Sequence, residues 1–298
     1  MITVLPLSLL SVWLTNSLND CAATMPIHYM TVGDPSRRIA VAREDRSSEV
    51  GVLFLPGFHS KMASNKGNAI ANWARTRNCS CTLFDYSGSG ASGGDIQEGT
   101  ISRWLEESMC VFSEQTQERQ ILVGSSMGGY LALLLWKQVL KEYPQEATRI
   151  HALILIAPAW DMTEKLLWNR FSQGIQNQIW SSGVYNRPSA YGDGPYPITR
   201  QLIENGRKHL LFADGWQFPE QRPPIFILHG IRDEDVPHTH SIQLTELLHD
   251  GNTRLQLVED GDHRLSRPED LELLCAILDA ALSSDHVDTR TNDDKNTI

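Results

Sequence analysis

The chain has 298 residues, 41% of them hydrophobic and 21% charged, with a formal net charge of −10. That balance suits a globular protein with a large buried core, and the length fits one large α/β domain or two smaller ones. The acidic balance, with no basic run and no basic–aromatic interleaving, argues against nucleic acid or an anionic membrane as the main partner.

Residues 1–25 read as an N-terminal extension. Ile2 to Leu14 is apolar enough for the core of a signal peptide, but no Lys or Arg precedes it and the first arginine is Arg37. The run is also short for a membrane-spanning helix. Three readings stand: a weak signal, a disordered or interfacial arm, or an internal start at Met25, which is favoured here. No integral membrane segment is expected.

From Ile27 the pattern becomes regular. Ile27 to Val32 and Arg38 to Ala42 read as two strands joined at Gly33-Asp34-Pro35. Val50 to Leu55 (VGVLFL) is a continuous apolar run stopped by Pro56-Gly57, as in a strand buried on both faces. Thr82 to Asp85, Ile121 to Val123, Ala152 to Ile156, Ile225 to Leu228 and Leu255 to Val258 repeat the signal. Helical spacing fills the intervals at Ala69 to Arg77, Ile101 to Glu114, Met127 to Lys141, Ser241 to His249 and Glu269 to Leu282. This alternation predicts the α/β class: a mostly parallel, eight-stranded sheet with helices on both faces, in a single domain over residues 26–283. Between residues 160 and 223 the alternation lapses into aromatics and turn residues, which reads as an inserted cap. Residues 284–298 are polar, and disorder is expected there.

The five cysteines, Cys21, Cys79, Cys81, Cys110 and Cys275, are odd in number and lack metal-ligand spacing, which suits a reducing compartment. Cys79 and Cys81 are read as buried or loop thiols. His238 and His240, two apart at a helix start, lack the carboxylate or cysteine support of a metal site and are read as surface polar residues.

Ligands of parallel sheets bind beyond the carboxyl ends of the strands, so the residues following each run matter most. Gly124-Ser125-Ser126-Met127-Gly128 fits G-x-S-x-G and selects Ser126. The pentapeptide alone would arise by chance in roughly one chain in ten of this length, but here QILV leads in and MGGYLALLLWKQVL leads out. That strand–turn–helix context is a nucleophile elbow, with Ser126 at a helix N-terminus and Ser125 as turn packing.

A serine nucleophile needs a base and an orienting acid, following it in the order Ser, Asp, His. After PIFIL comes HGIRDEDVP, in which Asp233 lies closest to the strand and is the chosen acid, with Asp235 and Glu234 as alternatives. After LQLV comes EDGDH, which makes His263 the base. Oxyanion donors are expected from the N–H of Met127 and, since Pro56 has none, from Phe58 in the loop after VGVLFL. His59 is read as a packing or substrate-contact residue.

Asp85-Tyr86-Ser87-Gly88-Ser89-Gly90-Ala91-Ser92 resembles the D-x-x-G-x-G-x-S turn of the α/β-hydrolase superfamily, HGIRDEDVP its acid loop and GDH its histidine loop. The resemblance runs in order from Val50 to Leu282. FLPGFHSKM, LFDYSGSGASGG, ILVGSSMGGYL, LHGIRDEDVP and DHR are similar to its acyl-protein thioesterase subgroup and the bacterial relatives of that subgroup. The resemblance implies an α/β-hydrolase fold, deacylation of protein cysteines, hydrolysis of acyl glucuronide esters, and a triad at Ser126, Asp233 and His263.

The sequence thus leads to a serine hydrolase of esters or thioesters that needs no cofactor and no metal. Its partner is the acyl substrate, an S-acylated protein among the candidates, and not nucleic acid. A general carboxylesterase or lipase is the alternative, and a non-catalytic module of the same fold a distant third. The expected compartment is the cytoplasm in a bacterium or the mitochondrion in a eukaryote.

Overall fold

Leu53 and Leu55 of strand β3 (Val50–Leu55) face one hydrophobic core, while Val52 and Phe54 face a second. The same division recurs in β5 (Arg119–Ser125), with Leu122 against Ile121 and Val123, and in β6 (Ile150–Ile156), with Leu153 and Leu155 against Ala152, Ile154 and Ile156. Strands so lined on both faces must be covered on both faces. A computed structural model, which describes residues 25–188, 194–219, 222–248 and 252–284, shows how. The expectations for the N-terminal extension before Met25 and for the polar tail after Ser284 lie outside the described residues.

β1 (Ile27–Val32), β2 (Arg37–Glu44) and β4 (Cys81–Phe84) join these three, as do β9 (Ile225–Gly230) and β10 (Thr253–Val258). Together they form one eight-stranded sheet in the order β1-β2-β4-β3-β5-β6-β9-β10. β2 is antiparallel to both β1 and β4, and every pair from β4 to β10 is parallel. Helices α2 (Ile101–Gln115) and α3 (Met127–Glu142) close the first core with Trp104, Tyr130 and Trp136. Helices α1 (Asn65–Thr76) and α7 (Pro268–Leu282) close the second with Ile70, Trp73, Leu274 and Leu278. Ser64 caps α1, its Oγ accepting from Gly67 N at 3.3 Å, so that helix starts four residues before its apolar spacing does. No helix among the described residues is long and apolar enough to cross a membrane.

Between β6 and β9 lies a run of small elements: a π-helix (Met162–Leu167), α4 (Gln173–Ser182), a separate hairpin of β7 (Val184–Arg187) with β8 (Tyr196–Thr199), and α5 (Arg200–Gly206). Its apolar residues are used: Met162, Leu167, Ile179, Ile198, Leu202 and Leu211 are buried in the first core. α6 (His238–Leu248) connects β9 to β10. Cys79 and Cys81 are buried and free, and burial pushes both thiols up.

One buried ion pair ties the sheet edge to the loop after β4. Glu107, fully buried, accepts from Arg37 Nε at 2.7 Å and from Ser87 N at 3.0 Å, and Glu106 also pairs with Arg37. Glu107→Ala leaves a half-paired guanidinium and an orphaned amide inside, and we expect a loss of about 3 kcal/mol in urea denaturation.

Candidate active site

Ser126 alone separates β5 from α3, and its backbone lies at φ 55, ψ −117. Non-glycine residues hold such a conformation only when the surroundings enforce it. Here close backbone contact does so. A Cβ on Gly124 would lie 2.3 Å from Gly128 O, and one on Gly128 would lie 2.0 Å from Leu55 O. Ser126 N donates to Ile156 O at 2.8 Å, and Ser126 O accepts from Ala159 N at 3.0 Å. Ser125, by contrast, is the buried last residue of β5, in register with Ile156.

The elbow brings Ser126 Oγ to 3.0 Å from His263 Nε2, and His263 Nδ1 to 2.7 Å from Asp233 Oδ2. A carboxylate can only accept, so Nδ1 carries the proton and Nε2 is left to accept from the serine hydroxyl. Asp233 sits in the turn after β9, where its Oδ1 accepts from Asp235 N (2.9 Å) and Val236 N (2.8 Å). Burial by itself would raise this carboxyl, but hydrogen bonds from His229 and His263, the charge of His263 and the Val236 amide outweigh it and hold Asp233 at about 2. The two alternatives for the acid are placed elsewhere: Glu234 is exposed, and Asp235 pairs with Arg187 of β7 at 3.0 Å.

His229 has no assigned role in the sequence reading. It is fully buried on β9, and its Nε2 donates to Asp233 Oδ2 (3.1 Å) and Val236 O (2.9 Å), while Nδ1 accepts from Ser241 Oγ (2.6 Å). It therefore fixes the carboxylate from behind. A histidine next to the end of an apolar strand, four residues ahead of Asp233, is the signal that marks it. His240 needs correction as well. It is buried rather than on the surface, its ring stacked on Trp160 at 4.5 Å and its Nε2 donating to Trp160 O at 2.8 Å. It is held there by an aromatic face and a carbonyl that the sequence does not reveal, and burial lowers it to about 4.

Phe58 and Met127 flank the serine. Gly57 packs against Ser125 O and Ser126 Cβ, at 3.2 and 3.4 Å from the position a Cβ would take, which brings the Phe58 loop up to the elbow. Met127 is the first residue of α3, where N–H groups have no intrahelical acceptor. A cleft of about 330 Å³ opens over this group. Met162, Leu166, Leu167 and Ile198 form an apolar wall, while Lys61, Arg187, Asp235 and Arg264 contribute charge. His59 lines the same cleft, its ring 4.7 Å from Tyr196.

The serine aminopeptidase S33 family profile matches residues 47–193. Human palmitoyl-protein thioesterase ABHD10, mitochondrial, is 30% identical over 230 residues, 77% of this chain and 72% of that protein. The chain is a member of the α/β-hydrolase family. An Agrobacterium vitis S4 protein of known structure matches this α/β-hydrolase with a TM-score of 0.81 at 35% identity, over 87% of this chain and 99% of its own. Mouse alpha/beta hydrolase domain-containing protein 10 matches with a TM-score of 0.74 at 27% identity, over 86% of this chain and 97% of its own.

The low Asp233 value has a stability consequence. A carboxyl held at about 2 against its usual 3.8 stabilises the native α/β-hydrolase above 3.8, and that stabilisation is lost as pH falls toward 2. Asp233→Asn is therefore expected to cost about 2 kcal/mol near neutral pH. Urea titrations at decreasing pH should show the gap to the parent closing as acid is added.

Proposed function

We propose that this α/β-hydrolase is a serine hydrolase that cleaves carboxylic esters or thioesters through an acyl-enzyme. The observation that carries the reading is the unbroken hydrogen-bonded chain Ser126–His263–Asp233 on the floor of a cleft. Ser126 Oγ attacks the acyl carbon as His263 Nε2 takes its proton, and the developing oxyanion is held by the N–H groups of Phe58 and Met127. The tetrahedral adduct collapses, the bond to the leaving thiolate or alkoxide breaks, and His263 returns the proton to it. Water then attacks the acyl-serine with the same histidine as base, releasing the acid and restoring Ser126. Asp233 keeps the proton on Nδ1 throughout and stabilises the imidazolium.

We assign the acyl chain to the wall of Met162, Leu166, Leu167 and Ile198, and residues 160–223 to a cap that closes over it. Arg187 and Arg170 support that assignment, since Arg187 pairs with Asp235 and Arg170 Nη1 donates to Asp235 O at 2.7 Å. The relatives named palmitoyl-protein thioesterase favour S-acylated protein as substrate, and their mitochondrial designation favours that compartment if the chain is eukaryotic. The charged wall favours a second reading, a carboxylesterase for small esters with polar leaving groups.

A fluorophosphonate probe should label the parent and fail to label Ser126→Ala; a Ser126→Ala protein that still labels would sink the assignment. Phe58→Pro deletes one oxyanion donor and should lower kcat by about 10²–10³ with little change in KM. Rates on a long-chain acyl thioester and a short aryl ester, measured side by side, separate the two substrate readings.

A further inference from the structure

Lys66 is the one buried lysine among the described residues, 9% exposed and on the wall of the cleft. Its position is unfavourable for a cation. It occupies the first turn of α1, whose free N–H groups already give that end positive character, and Arg264 adds a second charge nearby. Burial and Arg264 lower its ammonium to about 8, with Asp262 and Asp270 opposing in part. A charge kept buried in this way costs stability unless its contacts repay it.

Those contacts point to the base. Lys66 Nζ donates to Arg264 O and to Ser266 Oγ, the latter at 3.2 Å. Arg264 follows His263 directly. The segment is otherwise folded on itself: Asp262 Oδ1 accepts from Arg264 N (3.0 Å) and Leu265 N (2.9 Å), Ser266 Oγ donates to Arg264 O (2.8 Å), and Leu265 sits at φ 42. Lys66 adds a tie from this turn to α1, the helix that follows the Phe58 loop. The ammonium thus joins the side of the cleft that bears an oxyanion donor to the side that bears the imidazole.

We propose that Lys66 is a positioning residue for His263, holding the 264–266 turn so that Nε2 stays within hydrogen-bond reach of Ser126. This rests on the reading of His263 as the base. Misplacing a reacting group by about 1 Å can cost about 10² in rate, and that is the loss expected in kcat for Lys66→Met, with KM little changed and the melting temperature kept. Lys66→Arg, which keeps charge and donors, should retain more activity than Lys66→Met. In Lys66→Ala, added propylamine should restore part of the rate, because the lysine opens onto the cleft.

The experiment measures fluorophosphonate labelling rate, kcat, KM and melting for the parent and the three variants. A folded Lys66→Met with parental kcat overturns the proposal. So does a loss of activity in all three variants that tracks a loss of folded protein without rescue by amine, since Lys66 would then serve folding alone. A parent that resists the probe refutes the reading of Ser126 itself and this proposal with it, whereas a parent that labels beside an undiminished Lys66→Met refutes only the role of Lys66.

Discussion

The site hangs from the approach of Gly128 to the Leu55 carbonyl. Because the first turn of α3 is pressed against the end of β3, the helix has to begin at the residue after the serine, and no bulk can intervene. That one contact fixes three things together: the left-handed backbone of Ser126, the placement of Met127 N–H at the helix start, and the nearness of the loop that leaves β3. The strain at φ 55 is offset by hydrogen bonds to Ile156, at the end of the neighbouring strand, and to Ala159 just beyond it. The sheet interior, with apolar residues on both faces of β3, β5 and β6, is the rigid body against which this compression is maintained.

Electrostatics complete what sterics begin. Asp233 is a buried carboxylate in a chain that is already acidic, and it stays ionised because two amides and two imidazoles donate to it. His229 takes part without facing the cleft: with Ser241 and the Val236 carbonyl it presents an N–H to the side of Oδ2 that His263 does not use. The orientation of the imidazole is therefore set by a network reaching from β9 into α6.

The mostly parallel eight-stranded sheet was legible from its apolar runs, and the loops whose Ser126, Asp233 and His263 the fold brings together were legible because each follows an apolar strand and carries a short run with restricted chemistry. Gly124 and Gly128 leave no room for a Cβ, and the Asp-Glu-Asp-Val-Pro run of residues 233–237 sets its carboxylates just beyond the end of a buried strand. His240 and Lys66 were not legible for a common reason. Their partners are a tryptophan ring and a backbone carbonyl brought from elsewhere in the chain, and no local spacing encodes such encounters. Helix α1 illustrates the same point: its apolar periodicity begins at Ala69, while the helix itself begins at Asn65, so the sequence hides Lys66 ahead of the visible pattern.

β6 and β9 are immediate neighbours in the sheet, with Leu153 opposite Ile225, yet residues 157–224 lie between them. A crossover between adjacent parallel strands needs only about a dozen residues, so most of this segment is surplus to the topology. Loop-closure entropy grows slowly, by about 0.6 kcal/mol for each doubling in length. The segment's length is therefore set by what it packs, Met162, Leu167, Ile179, Ile198, Leu202 and Leu211 in the first core, and not by the register of the strands it joins. The pairing of Arg187 with Asp235 adds a constraint, since Asp235 lies two residues from Asp233. A rebuilt wall loses the cation that faces Asp235 unless another takes the place of Arg187, so this segment and the turn after β9 are tied to each other by charge.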